Sequence, residues 1–75
     1  MPQIEDFGDF TVYMYYETEN PPHFHLVAPD WQAKVEIATL EIIAGRAPVG
    51  VMRRVRRWAG TRKPFLMRKW NEYTP

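Results

Sequence analysis

This chain has 75 residues and no cysteine, which indicates one small domain and excludes disulfides, thiolate zinc sites and cysteine nucleophiles. It has no apolar run near the ~18 residues of a membrane span and no signal-peptide pattern, so we expect a cytoplasmic protein with no membrane partner. The net charge of +1 divides into −7 over residues 1–45 and +8 over residues 46–75, which indicates a polyanionic partner or mutual neutralisation within the fold.

The first predicted element is a strand over residues 10–16, where β-branched and aromatic residues alternate. Its even-numbered residues form one apolar face, and its odd-numbered residues, which include Tyr13 and Tyr15, form the other. The polar stretch that follows ends in Pro21 and Pro22 and therefore predicts a loop.

Two further strands are predicted over residues 23–28 and 31–37, with a turn at Pro29 between them. Residues 40–44 are a candidate fourth strand, which Gly45 would end. In the second strand, apolar side chains alternate with the two histidines of the chain, so the apolar side chains are expected to face the core.

The hydrophobic period then changes to that of a helix, and Pro48 suits its first turn. One side of this helix is apolar and consists of Val51, Met52, Val55, Trp58 and Ala59. The other side carries Arg53, Arg54, Arg56 and Arg57. Gly60 and Thr61 interrupt the pattern, and Pro64 suits the start of a second helix that continues to the C-terminus.

This order of strands followed by helices predicts a single small α+β domain over residues 1–75. We expect a three- to four-stranded antiparallel sheet, over residues 10–44, followed by two C-terminal helices packed on one face of it. We interpret the three tryptophans as anchors of the core or of an interface.

The most informative motif is Pro-Pro-His-Phe-His at residues 21–25. His23 and His25 alternate along a strand, so their side chains should lie on one side of it, roughly 6.6 Å apart at ~3.3 Å per residue. Neighbouring strands would add Tyr13, Tyr15, Lys34 and Glu36 to the same face. We therefore predict a polar and aromatic surface on the side of the sheet away from the helices.

Several roles are compatible with this surface. His23 and His25 could act as base and acid in metal-independent RNA cleavage, assisted by Tyr15 or Lys34. The same histidines could bind a divalent metal cofactor, although a site needs a third and usually a fourth ligand. The nearby carboxylates are Glu17, Glu19, Asp30 and Glu36. RNA bases could instead stack on the aromatic rings, or the histidines could have a purely structural role.

The four-arginine side of the first helix also has more than one interpretation. Arg53, Arg54, Arg56 and Arg57 could contact phosphates, with affinity that falls as salt rises. They could instead dock on an acidic protein, since arginine suits bidentate contacts. A solvated face without a partner is less typical, because like charges four residues apart repel one another.

The chain resembles the small prokaryotic domain-of-unknown-function family 4160 over nearly its whole length. The resemblance is carried by Met1-Pro2, the tyrosine-rich strand that leads into the Pro-Pro-His-Phe-His motif, and the closing Trp70-Asn71-Glu72-Tyr73. It implies a compact α+β domain encoded beside another small protein, and some members carry toxin–antitoxin labels. It assigns no role to Pro21, Pro22, His23 or His25. The chain departs from the family at Gly60 and Pro64, where relatives have a more continuous helix.

We therefore expect a small interaction protein of toxin–antitoxin or mobile-element type, which binds an acidic protein or RNA through its arginine-rich helix. The alternatives are a ribonuclease and a metal-binding module, both of which would use His23 and His25. A homodimer through the aromatic face of the sheet is a further expectation. A binding role without a cofactor is preferred because it needs fewer groups in a fixed geometry.

Overall fold

A computed structural model describes residues 3–15 and 21–73. It contains a five-stranded antiparallel sheet followed by two helices, so the predicted α+β class and order of elements are confirmed. The strands are β1 (Gln3–Asp6), β2 (Thr11–Tyr13), β3 (His23–Val27), β4 (Gln32–Glu36) and β5 (Ile42–Gly45), and the helices are α1 (Val49–Gly60) and α2 (Lys63–Tyr73). The strands lie side by side in chain order.

The sheet has one strand more than the upper number predicted, because β1 pairs with β2. The sequence of β1, Gln-Ile-Glu-Asp, carries one apolar residue and is largely exposed. It lacks the alternation that marks a half-buried strand, so backbone pairing with β2 and the packing of the half-buried Ile4 against the core hold it in the sheet.

The other predicted strands are confirmed with small shifts of their ends. The strand expected over residues 10–16 is limited to Thr11–Tyr13. Tyr16, the last residue of the predicted strand, lies outside the described residues. The fourth predicted strand begins two residues late, because Leu40 adopts a left-handed conformation with φ 60°. The N–H of Leu40 donates to the carbonyl oxygen of Glu36, which closes the turn before β5.

The hydrophobic core lies between one face of the sheet and α1. The fully buried sheet residues include Val12, Phe24, Leu26 and Val35. The helix contributes Val51, Met52, Val55 and Ala59, as its apolar period predicts. Leu66 and Trp70 of α2 complete this core. Each buried valine, leucine, phenylalanine or methionine side chain contributes about 1.5–3 kcal/mol when it is removed from water.

The predicted break between the helices is also confirmed. The backbone N–H of Arg62 donates to the carbonyl oxygen of Ala59 (2.9 Å), and its guanidinium donates to that of Trp58 (2.7 Å). These bonds satisfy carbonyl groups at the end of α1 that have no partner within the helix. Pro64 lies in the first turn of α2, where its missing N–H costs nothing. No helix in the described part of the chain is long and apolar enough to cross a membrane.

Candidate functional site

The polar and aromatic residues predicted on one side of the sheet do share that side, but this side is not free of the helices as predicted, because Trp70 of α2 contacts His23. Tyr13 of β2 pairs with His25 of β3, which in turn pairs with Lys34 of β4, so these three residues form one row across the sheet. His23 pairs with Glu36 in the adjacent row. We call this surface the histidine face.

Five rings make a continuous series of contacts that starts on the histidine face and ends on α2. Tyr13 stacks on Tyr15 with 5.9 Å between ring centroids, and Tyr15 meets His25 edge-on at 4.3 Å. The His25 and His23 rings are 5.1 Å apart, and the His23 ring is 5.0 Å from the ring of Trp70. The two histidines are therefore part of an aromatic cluster.

The histidines differ in their access to water. His23 is only 1% exposed, whereas His25 is half-buried. The Nδ1–H of His23 donates to the carbonyl oxygen of Pro21 (2.9 Å), which fixes the proton on that nitrogen. The next carbonyl in the motif, that of Pro22, accepts a bond from the N–H of Ile37 just beyond β4. The motif thus joins the start of β3 to the end of β4.

The burial of His23 was not predicted from the alternation of the strand. Alternation gives the side of the sheet that a residue faces, but Trp70 comes from the last helix and covers His23 from there. His23 and Trp70 are 47 residues apart in the chain, so no local pattern in the sequence links them. Because a general acid or base must reach its substrate, this geometry gives little support to a nuclease that uses both histidines.

A metal site at the histidines has no third ligand in the described structure. No group of three or more histidine, aspartate or glutamate side chains lies close enough to hold an ion among residues 3–15 and 21–73. Glu17 and Glu19 lie outside these residues. The metal-binding role of His23 and His25 therefore stays a hypothesis.

The four arginines of α1, which appear equivalent in the sequence, differ in their contacts. Arg54 donates to Asp9 Oδ2 (2.5 Å) and lies over the ring of Phe10, 5.2 Å from its centroid. Arg56 donates from Nε to the carbonyl oxygen of Leu40 (3.2 Å). Arg54 and Arg56 thus attach the two flanks of α1 to the sheet and its loops.

Arg53 and Arg57 occupy the outermost line of α1, opposite its buried side. They are four residues apart, so their side chains project in nearly the same direction about 6 Å apart along the axis. Both are exposed, and neither forms a hydrogen bond or an ion pair with residues 3–15 or 21–73. We call them the outer arginine pair.

The contact between Arg54 and Asp9 predicts a pH-dependent contribution to stability. The hydrogen bond from Arg54 lowers the pKa of the Asp9 carboxyl below its ordinary value of 3.8. The contribution should therefore be complete above pH 3.8 and be lost as the pH falls through the lowered pKa. We expect Asp9→Asn to reduce the free energy of unfolding at pH 7 and to have a smaller effect at pH 2, measured by urea denaturation. An equal effect at both pH values would contradict this.

Three further cations between residues 46 and 73 lie beside aromatic rings, whereas Lys63 donates from Nζ to the carbonyl oxygen of Ala38 (2.7 Å). Arg62 lies over Trp58, with its Cζ atom 5.6 Å from the ring centroid. Arg68 and Lys69 both lie about 6 Å from the ring of Phe65. Lys69 also forms a 3.5 Å ion pair with Glu72, the one acidic residue between 46 and 75. The helices therefore present cations interleaved with rings.

Comparison with known proteins gives one match. Residues 9–71 match the family described as "Domain of unknown function (DUF4160)". No curated protein and no solved structure matches the chain. This match confirms the family resemblance inferred from the sequence, and its span contains both the histidine motif and Trp70.

Proposed function

This chain belongs to the DUF4160 family, and we propose that it is a small RNA-binding protein that contacts phosphates through the outer arginine pair. The main support is that Arg53 and Arg57 are exposed and make no hydrogen bond or ion pair within the described structure. Unpaired guanidinium groups one turn apart on a rigid helix are suited to bidentate contacts with successive phosphates.

The distribution of charge favours RNA over an acidic protein as the partner. Residues 46–73 contain nine basic residues and one acidic residue. A cationic layer of this extent suits a repeating phosphate backbone. A protein interface would also need an apolar centre, but α1 and α2 expose a single large aliphatic side chain, Val49.

A role in a toxin–antitoxin or mobile-element system in the cytoplasm is part of this proposal. It rests on the neighbouring small protein that the family resemblance implies. The burial of His23 favours a component that binds RNA without cleaving it. Recovery of both RNA and the neighbouring protein with this chain from its own cells would support this setting.

The proposal predicts the effect of replacing the outer arginine pair. We expect Arg53→Gln with Arg57→Gln to weaken binding to a labelled single-stranded RNA roughly 5–10-fold at about 50 mM salt. Since each lost phosphate contact removes about 0.7 from the slope of log affinity against log salt, this slope should fall by roughly 1.4. Fluorescence anisotropy over a salt series measures both quantities. A DNA strand of the same sequence tests whether the sugar matters.

A matched pair of substitutions controls for the loss of charge. Arg54→Gln with Arg56→Gln removes two charges from the same helix, but these arginines already bind Asp9 and Leu40. This variant should be less stable and should keep most of its salt slope. An equal loss of RNA binding in the two variants would overturn the proposal. Capture of an acidic protein with no RNA binding would favour the protein-partner hypothesis instead.

A further inference from the structure

The two edges of the sheet differ in how they are protected. β1 and β5 are the outer strands, and the pairing of each with its neighbour contains an irregularity of register. β1 carries the charged residues Glu5 and Asp6. Charges on an edge strand discourage further strand pairing. The sequence of β5, Ile-Ile-Ala-Gly, has neither a charge nor a proline, so this edge lacks that protection.

β5 is also exposed where a partner strand would lie. Its last three residues are exposed, including Ile43, whose exposed fraction is 42%. Val49, which begins α1 four residues after the strand ends, is 75% exposed. These are the two large hydrophobic residues that the described chain exposes. Both thus lie at or just after the unprotected edge, where a partner would cover them.

We propose that β5 pairs antiparallel with β5 of a second copy of this chain, so that two sheets join into one. The charges on either side of the strand favour a second copy over another occupant. Glu41 precedes β5 and Arg46 follows it, and both are exposed. A two-fold axis through the centre of β5 brings Glu41 of each copy close to Arg46 of the other. The segment is therefore complementary to itself in charge as well as in its apolar centre.

The proposed dimer also bears on RNA binding, and in this respect it rests on the proposed function. A two-fold axis that relates antiparallel edge strands is perpendicular to the sheet, so equivalent faces of the two sheets point the same way. Both α1 helices would then lie on one side of the joined sheet. The two outer arginine pairs could contact a single RNA strand, which raises its apparent affinity through effective concentration.

Sedimentation velocity over about 1–500 μM tests the dimer, because a short paired edge implies weak association, with a Kd on the order of 10 μM. We expect the mass to rise from one chain to two over this range. Ile43→Lys should hold the protein as a monomer, since it places two like charges at the axis. Gln3→Lys adds the same charge to the opposite edge and should leave the dimer intact.

A charge exchange tests the contact at the ends of the strand. Glu41→Arg alone should weaken the dimer about tenfold, and adding Arg46→Glu should restore it. A monomer at every concentration, or a dimer that survives both Ile43→Lys and Glu41→Arg, would overturn the proposal. Circular dichroism checks that each variant is folded. If Ile43→Lys does not fold, the charge-exchange variants still test the dimer. If the Ile43→Lys variant is folded and monomeric, its RNA binding tests the proposed function independently of the dimer.

Discussion

Replacing Trp70 with alanine should lower the free energy of unfolding by about 3–5 kcal/mol, the largest loss that we expect from one substitution. Trp70 is 4% exposed, and its ring lies 5.0 Å from that of His23. The substitution leaves a cavity and admits water to His23. A domain of this length is stable by roughly 4–11 kcal/mol, so the variant should be close to unfolding at 25 °C.

Urea denaturation followed by circular dichroism measures this loss, and Trp70→Phe is its control. Phenylalanine keeps a ring against His23 and should cost less than half as much as alanine. The histidine resonances provide a second readout, because His23 should become more accessible to solvent in the alanine variant than in the phenylalanine variant. A loss below about 1 kcal/mol for alanine would mean that Trp70 does not hold the motif in place.

The alternation of apolar residues was sufficient to predict the inner strands, because burial of one face is what stabilises them. The same criterion missed Gln3–Asp6, which buries only part of one apolar side chain, Ile4, and depends mainly on its hydrogen bonds to β2. The turn at Leu40 was missed for a related reason. A left-handed conformation in a leucine leaves no mark in a hydrophobic pattern.

In the candidate site, too, the sequence pattern did not show which residues contact one another, because these contacts join distant parts of the chain. The helical period correctly placed Arg53 and Arg57 on the outside of α1, but it could not distinguish them from Arg54 and Arg56. That distinction depends on Asp9, which is 45 residues away from its partner. Contacts between distant segments decide which charges remain available, and a single sequence contains no signal for such contacts.

Replacing Gly45 with alanine should lower the free energy of unfolding by about 2–4 kcal/mol, the second largest loss that we expect. Gly45 ends β5 with φ 75°, a region that strains a residue with a side chain. A Cβ atom there would lie 2.3 Å from the carbonyl oxygen of Gln32. That oxygen accepts the N–H of Arg46, so the clash falls on the bond that holds the end of β5 to β4.

Gly8 separates the two causes of this loss. Its φ is 95°, but a Cβ atom there would meet no atom within 4 Å. Gly8→Ala should therefore cost only the backbone strain, about 1–2 kcal/mol, and the excess at Gly45 measures the clash. Equal losses in urea denaturation would show that β4 and β5 separate easily. Such an edge could not present the rigid strand that pairing with a second copy requires.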